Sequence, residues 1–189
     1  MASSARKTER FAHFDTPAGY DDPIGMLLGC HRRIEKKLAT LKALSAHVAK
    51  NGVDAEASVA AQAVLRYFSA AAVYHHEDEE VDLMPILQRR VSDATDRARL
   101  GALDARIRED HREVEQVWSR LRRPLESIAD GLMRTLPDTD VQSFAALYRR
   151  HIEAEEGLIV PLAQRWLNAQ DLAILGRAMA ARRGAPFAG

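Results

Sequence analysis

The stretches YHHEDEEVDLMPIL (74–87) and RHIEAEEGLIVPLA (150–163) are two copies of one pattern at a constant offset of 76 residues. His75 matches His151, Glu79 matches Glu155, Glu80 matches Glu156 and Pro85 matches Pro161. In each copy a glutamate follows the histidine by four positions. On a helix those two residues lie one turn apart on the same face, so the pair directs an imidazole and a carboxylate at one spot. The proline ten residues past the histidine removes a backbone hydrogen bond and strains the turn against residues 81 and 157. The repeat therefore predicts a pseudo-twofold pair of helices that bend just beyond their His/Glu pairs.

The same His-x-x-x-Glu spacing occurs at His31/Glu35 and His111/Glu115. The four histidines are 44, 36 and 40 residues apart, each interval suited to one helix plus one turn. Four antiparallel helices would bring the four pairs to one level of a bundle. With 13 glutamates in 189 residues, chance fills a given offset about 7% of the time, so four coincidences point to a site. Imidazole and carboxylate together suit iron, manganese or zinc.

Helix signals agree. Asp22-Pro23 supplies an N-cap and a proline at the first helical position. Ile24, Leu27, Leu28, Ile34, Leu38 and Leu41 follow at helical spacing as far as Asn51-Gly52, which predicts a first helix over 23–50. A second, opened by Asp54 and rich in alanine, runs to about Arg90. A third runs from Ser92 or Asp93 to about Ala129, with Pro124 as a potential kink, and a fourth from Pro137 and Asp138 or Asp140 to about Leu167. A short fifth helix, near 170–182, ends at Gly184. No segment alternates as a strand does. The expected fold is all-α: an irregular lead-in over 1–22, then an up-down-up-down four-helix bundle over 23–184 with a short C-terminal fifth helix.

The 27 basic and 27 acidic side chains cancel, which leaves no basic footprint for nucleic acid. Arg89-Arg90, Arg122-Arg123 and Arg182-Arg183 read as solvated helix ends. Nothing is long and apolar enough to span a bilayer, and the polar N-terminus lacks the apolar region of a secretory signal. A single cysteine, Cys30, fits a reducing compartment, so a cytoplasmic location is expected.

The candidate metal ligands are His31, His75, Glu79, His111, Glu115, His151 and Glu155, with Glu79 and Glu155 as natural bridges between two ions. His31 and His111 lie on the apolar stripes of their helices, where a neutral imidazole needs a partner for each nitrogen and a metal supplies one. Glu35 is a weaker candidate, since it can equally pair with a nearby arginine. His76/Glu80 is a competing i, i+4 pair rotated by about 100°. Ile152 at the equivalent of His76 decides for His75 and leaves His76 behind the ligands or at the surface. His13 and His47 fall outside the pattern, and Cys30 points away from the His31 direction as a small buried hydrophobe. Tyr148 shares a face with His151 and Glu155, either as a core residue or as a hydrogen-bond donor to a bound species.

The Glu-x-x-His signature of ferritin-like di-iron bundles is absent: Arg10, Leu28, Leu44, Ala72, Val73, Arg108 and Tyr148 stand three positions before the seven histidines. The His-x-x-x-Glu order instead resembles the hemerythrin HHE cation-binding family, from DDPIGMLLGCHRRIEKKLATL through HHEDEEVDLMPIL and DHREVEQVW to HIEAEEGLIVPLA. The resemblance implies a non-heme di-iron centre, two iron ions carried by His31, His75, His111 and His151 and bridged by Glu79 and Glu155, with an open position for a small ligand. Oxygen-carrying members have a second histidine on the third helix and an aspartate on the fourth; here Glu115 and Glu155 stand at those places. An anionic oxygen donor in place of imidazole favours ferric iron. The expectation is thus a protein that binds or reacts with O2, NO or peroxide, with peroxide- or NO-directed redox activity as the enzymatic form. The alternative is an iron-sensing or metal-sequestering module without turnover, acting through a protein partner the sequence does not name.

Overall fold

In a computed structural model of the chain, residues 18–132 and 135–187 are described. Most of the expected lead-in lies outside them; its last residues form a turn in which the Asp22 N–H donates to the Gly19 carbonyl. Helix α1 is Pro23–Asn51, with Asp22 accepting from the Gly25 N–H and Gly52 ending the helix at φ +79°. Helix α2 covers residues 55–90 behind an Asp54 cap. Helix α3 is Ala94–Ala129, capped by Asp93, and Pro124 does not interrupt it. Helix α4 covers residues 138–166, and α5 is Ala169–Arg182 behind a capping box of Asn168 and Asp171. These are the five helices the sequence predicts, with ends moved by a residue or two, and no strand occurs among the described residues. None of the helices is long and apolar enough to cross a membrane.

Each of the first four helices packs on the next and α4 packs back on α1, while α5 docks on α1 and α2. The core is divided in two. One cluster, built around Leu41, Val64, Phe68, Leu121, Leu125 and Phe144, fills one end. The other, around Leu83, Leu87, Leu100, Ile107, Leu175 and Met179, fills the opposite end.

The bends predicted from the prolines take a definite form. Helix α2 widens to a π turn at Asp78–Leu83 and α4 at Glu155–Ile159, each just before its proline. Proline has no N–H to return to the carbonyl four residues back. The chain answers with i→i+5 bonds: the Met84 N–H donates to the Glu79 carbonyl, and the Val160 N–H to the Glu155 carbonyl. Both π turns thus start at or beside the carboxylates of the repeat. A further π turn, Tyr67–Ala71, has no counterpart in α4, whose residues 143–147 are α-helical.

Two of the three arginine clusters are more than solvated ends. Arg90 forks onto Asp171 at 2.9–3.0 Å, tying α2 to the start of α5. From α5, Arg182 and Arg183 both grip the fully buried Asp78 at the π turn of α2, and Arg182 also reaches Asp82 at 2.7 Å and Glu77 at 3.0 Å. A buried carboxylate demands such partners.

Helix α5 also receives the end of the lead-in. A Cβ at Gly176 would stand 1.9 Å from the Tyr20 carbonyl oxygen, so that close approach requires glycine. Gly176→Ala is therefore expected to lower stability by roughly 1–3 kcal/mol through overpacking against backbone, read as a lower melting temperature with helical content retained.

Candidate metal centre

One polar layer separates the two apolar clusters. Helix α1 contributes His31, α2 His75 and Glu79, α3 His111, and α4 His151 and Glu155; all six are buried, His75 and His151 completely. Along each helix the donors sit between core residues: Leu27 and Ile34 flank His31, Ile107 and Val114 flank His111. The i+4 spacing places both members of a pair in the layer, with His75 Nε2 3.0 Å from Glu79 Oε1 and His151 Nε2 3.4 Å from Glu155 Oε1.

The donor atoms form two overlapping sets. In His31, His75, Glu79 and Glu155, and again in Glu79, His111, His151 and Glu155, one ligand atom per residue lies within 4.8 Å of all the others. With metal–nitrogen bonds of about 2.1 Å, trans donors stand about 4.2 Å apart and cis donors about 3 Å, so either set is the size of one ion's shell. His31 Nε2 lies 3.0 Å from Glu155 Oε2, and the Nε2 atoms of His111 and His151 lie 3.3 Å apart. Both oxygens of Glu79, both of Glu155, and Nε2 of His31 and His75 are buried, and beyond these close approaches none has a well-aligned hydrogen-bond partner. Leaving so many buried lone pairs unmatched is costly; a cation at each set would satisfy them. Glu79 and Glu155 belong to both sets, which is the arrangement of bridging carboxylates.

The second glutamate of each repeat has a separate task. Glu80 Oε1 lies 2.5 Å from His111 Nδ1, and Glu156 Oε1 lies 2.9 Å from His31 Nδ1. Each reaches across to the histidine of the neighbouring helix, and each fixes that ring so that Nε2 faces the layer. Arg108, bound to both Glu80 and Asp104 at 2.8–2.9 Å, holds the first of these in place.

Without a cation the layer distributes protons unevenly. Burial depresses the His31 pKa, but contact with Glu155 and the charges of Glu79 and Glu156 outweigh it and raise it to about 9. Burial and the nearby charge of Glu155 push the Glu79 carboxyl well above the usual carboxylate range. Burial opposes ionisation of Glu155, yet His151 and His31 hold it below its ordinary value. Burial drives His75 and His76 well below the ordinary histidine value and lowers His151. With no cation bound, His31 is therefore protonated at neutral pH and Glu155 ionised, while Glu79 resists ionisation.

Residues 22–163 match the hemerythrin HHE cation-binding domain. The chain belongs to that family. An uncharacterized protein of Haemophilus influenzae is 29% identical to it over 166 residues, 88% of this chain and 92% of that one. In this HHE domain the structure brings together six of the seven residues singled out by spacing and leaves one apart. Glu115 is exposed at the mouth of a cavity and belongs to neither donor set. The His111-to-Glu115 turn carries position 115 toward the α2–α3 surface, where water solvates the carboxylate. Glu35 is likewise exposed, in a cleft with Lys42 and Arg149. Cys30 is buried and accepts a hydrogen bond from Arg33 at 3.0 Å, outside both sets. His47 lies 2.9 Å from Asp54 away from the layer, and His13 lies outside the described residues.

The spacing argument missed two features of the surroundings. The Asp78 clamp rests on residues a hundred positions apart, with no local signal. The parallel contact of Arg150 with buried Asp110 beside His111 and His151 is equally non-local. The roles of Glu80 and Glu156 did have a signal, the doubled glutamate present in both copies of the repeat.

Glu80→Ala is expected to weaken metal binding roughly 10- to 100-fold at the His111/His151 set, and Glu156→Ala similarly at the His31/His75 set, read by competition against a chromophoric chelator. Metal binding must also expel the proton on His31. At least about one proton per chain should be released at pH 7 in weakly buffered titrations. The sign follows from the raised pKa of His31: apparent affinity climbs with pH and, on account of this residue, levels off above pH 9.

Proposed function

We propose that the chain is an up-down-up-down four-helix metal bundle holding two iron ions, and that it binds or reacts with O2, NO or peroxide. The observation that carries this reading is the pair of donor sets sharing Glu79 and Glu155. His31 and His75 would hold one ion and His111 and His151 the other, with the two carboxylates bridging. The donors are all nitrogen and oxygen, without thiolate, a set suited to iron. When bound, the ions supply open coordination and redox equivalents for a small oxygen or nitrogen ligand.

A cavity of about 120 Å³ supports access for such a ligand. Phe68, Trp118, Phe144 and Tyr148 give it apolar walls, and it reaches His111. Burial keeps the Tyr148 phenol neutral, its pKa raised well above the usual value, so it is a standing hydrogen-bond donor beside the layer. The exposed position of Glu115 leaves the third helix without the second histidine of the oxygen carriers, and so one imidazole fewer at that ion; oxidation and peroxide or NO chemistry therefore stay ahead of reversible oxygen carriage. A cytoplasmic setting completes the proposal, since the described cysteine is a free thiol.

Anaerobic iron loading should give about two ions per chain, and admission of O2 or peroxide should change the visible charge-transfer spectrum. One ion or none would overturn the dinuclear reading. A loaded protein indifferent to O2, NO and peroxide would instead favour the sequestering or sensing role.

A further inference from the structure

The imidazole of His76 is absent from the two donor sets that share Glu79 and Glu155, yet it lies half-buried beside one of them, with its Nε2 shielded from solvent. Its Nε2 has no hydrogen-bond partner, and its ring stacks on His111 with centroids 3.8 Å apart and planes within 16°. A ligand atom of His76 also lies within 4.8 Å of ligand atoms of His111 and His151, which by distance alone suggests a third nitrogen on the same ion.

The stacking rules that out. An ion bound by imidazole lies in the ring plane, along the nitrogen lone pair, at about 2.1 Å. Two nearly parallel rings stacked face to face have no such point in common. While His111 faces the layer, held by Glu80, His76 cannot share its ion. Its unpartnered Nε2 is left for something that enters from outside.

Pseudo-symmetry supports this. On the α4–α1 side, the place of His76 belongs to Ile152, which faces a cleft that touches none of the layer histidines. On the α2–α3 side, His76 and His111 together line both the inner cavity and the surface cleft leading to it. The polar residue therefore occurs only at the mouth that communicates with the layer. The same mouth is hollow because Ala72, the counterpart of Tyr148, leaves room for it.

We infer that His76 is a ligand-positioning residue: through Nε2–H it donates a hydrogen bond to a small anionic or oxygen-bearing molecule bound at the His111/His151 position. This rests on the proposed iron centre, and azide is the probe that separates the two. His76→Phe keeps the stacked ring and removes the donor; His76→Gln restores an N–H without the ring. Wild type and both variants would be iron-loaded anaerobically, oxidised, assayed for metal content and titrated with azide, with melting curves to confirm folding. The expected result is equal metal content in all three, azide affinity about tenfold or more weaker in His76→Phe, and partial recovery in His76→Gln. Loss of iron in His76→Phe would overturn the inference by making His76 a ligand. Unchanged azide affinity at full metal content would overturn it as well. An iron-loaded wild type that takes up no azide would overturn the open-site reading and the inference with it, whereas failure confined to the variant comparison would leave that reading standing.

Discussion

Burying four imidazoles and two carboxylates in one layer is the constraint to which the rest of this bundle is fitted. An apolar core gains from continuity, and here it is cut in two by polar atoms, many of them without protein partners. Such a layer is tolerable only when something satisfies it. Bound cation would do so, since both carboxylates face both sets of histidines. The proton on His31 is a partial substitute: it offsets part of the negative charge of the layer but leaves lone pairs unmatched.

Around the layer the protein supplies rigid support from charged groups it keeps close to the surface. Glu80 and Glu156 aim the histidines of neighbouring helices. Arg182 and Arg183 secure Asp78, next in sequence to Glu79, and Arg150 secures Asp110, next to His111. The π turns belong to the same scheme. They begin at the carboxylates and absorb the missing proline hydrogen bonds, so the donors stay in register while the helices change course. These contacts are long in sequence and give direction to side chains whose short-range spacing only places them on the correct face.

That division explains what could be read from the chain and what could not. Helix ends were legible because they rest on local chemistry: Asp22, Asp54 and Asp93 cap the helices the sequence assigns to them. The layer was legible because i+4 spacing is itself a geometric statement on a helix. Glu115 shows the limit. It has the spacing of Glu79 and Glu155, but nothing in the spacing fixes how far a helix is rotated about its axis, and α3 turns that carboxylate to water. Two of the three arginine clusters failed as solvated ends for a related reason, since their partners come from other helices. His76 was set behind the ligands or at the surface by comparison with Ile152, and its stacking against His111 emerges only from packing.

The distribution of donors along the chain also bears on kinetics. Each half of the molecule carries two histidines and one carboxylate of the layer, which is closed by contacts such as His31 to Glu156, separated by 125 positions. Loop closure over such lengths comes late, after helices and local hairpins have formed. A bound ion therefore rewards the finished assembly of all four helices far more than any partly docked intermediate. Interactions absent from the folding transition state act chiefly on the rate of unfolding. In this architecture a metal centre is a lock fitted after the door has shut: it lengthens the lifetime of the native state while doing little to hasten its formation.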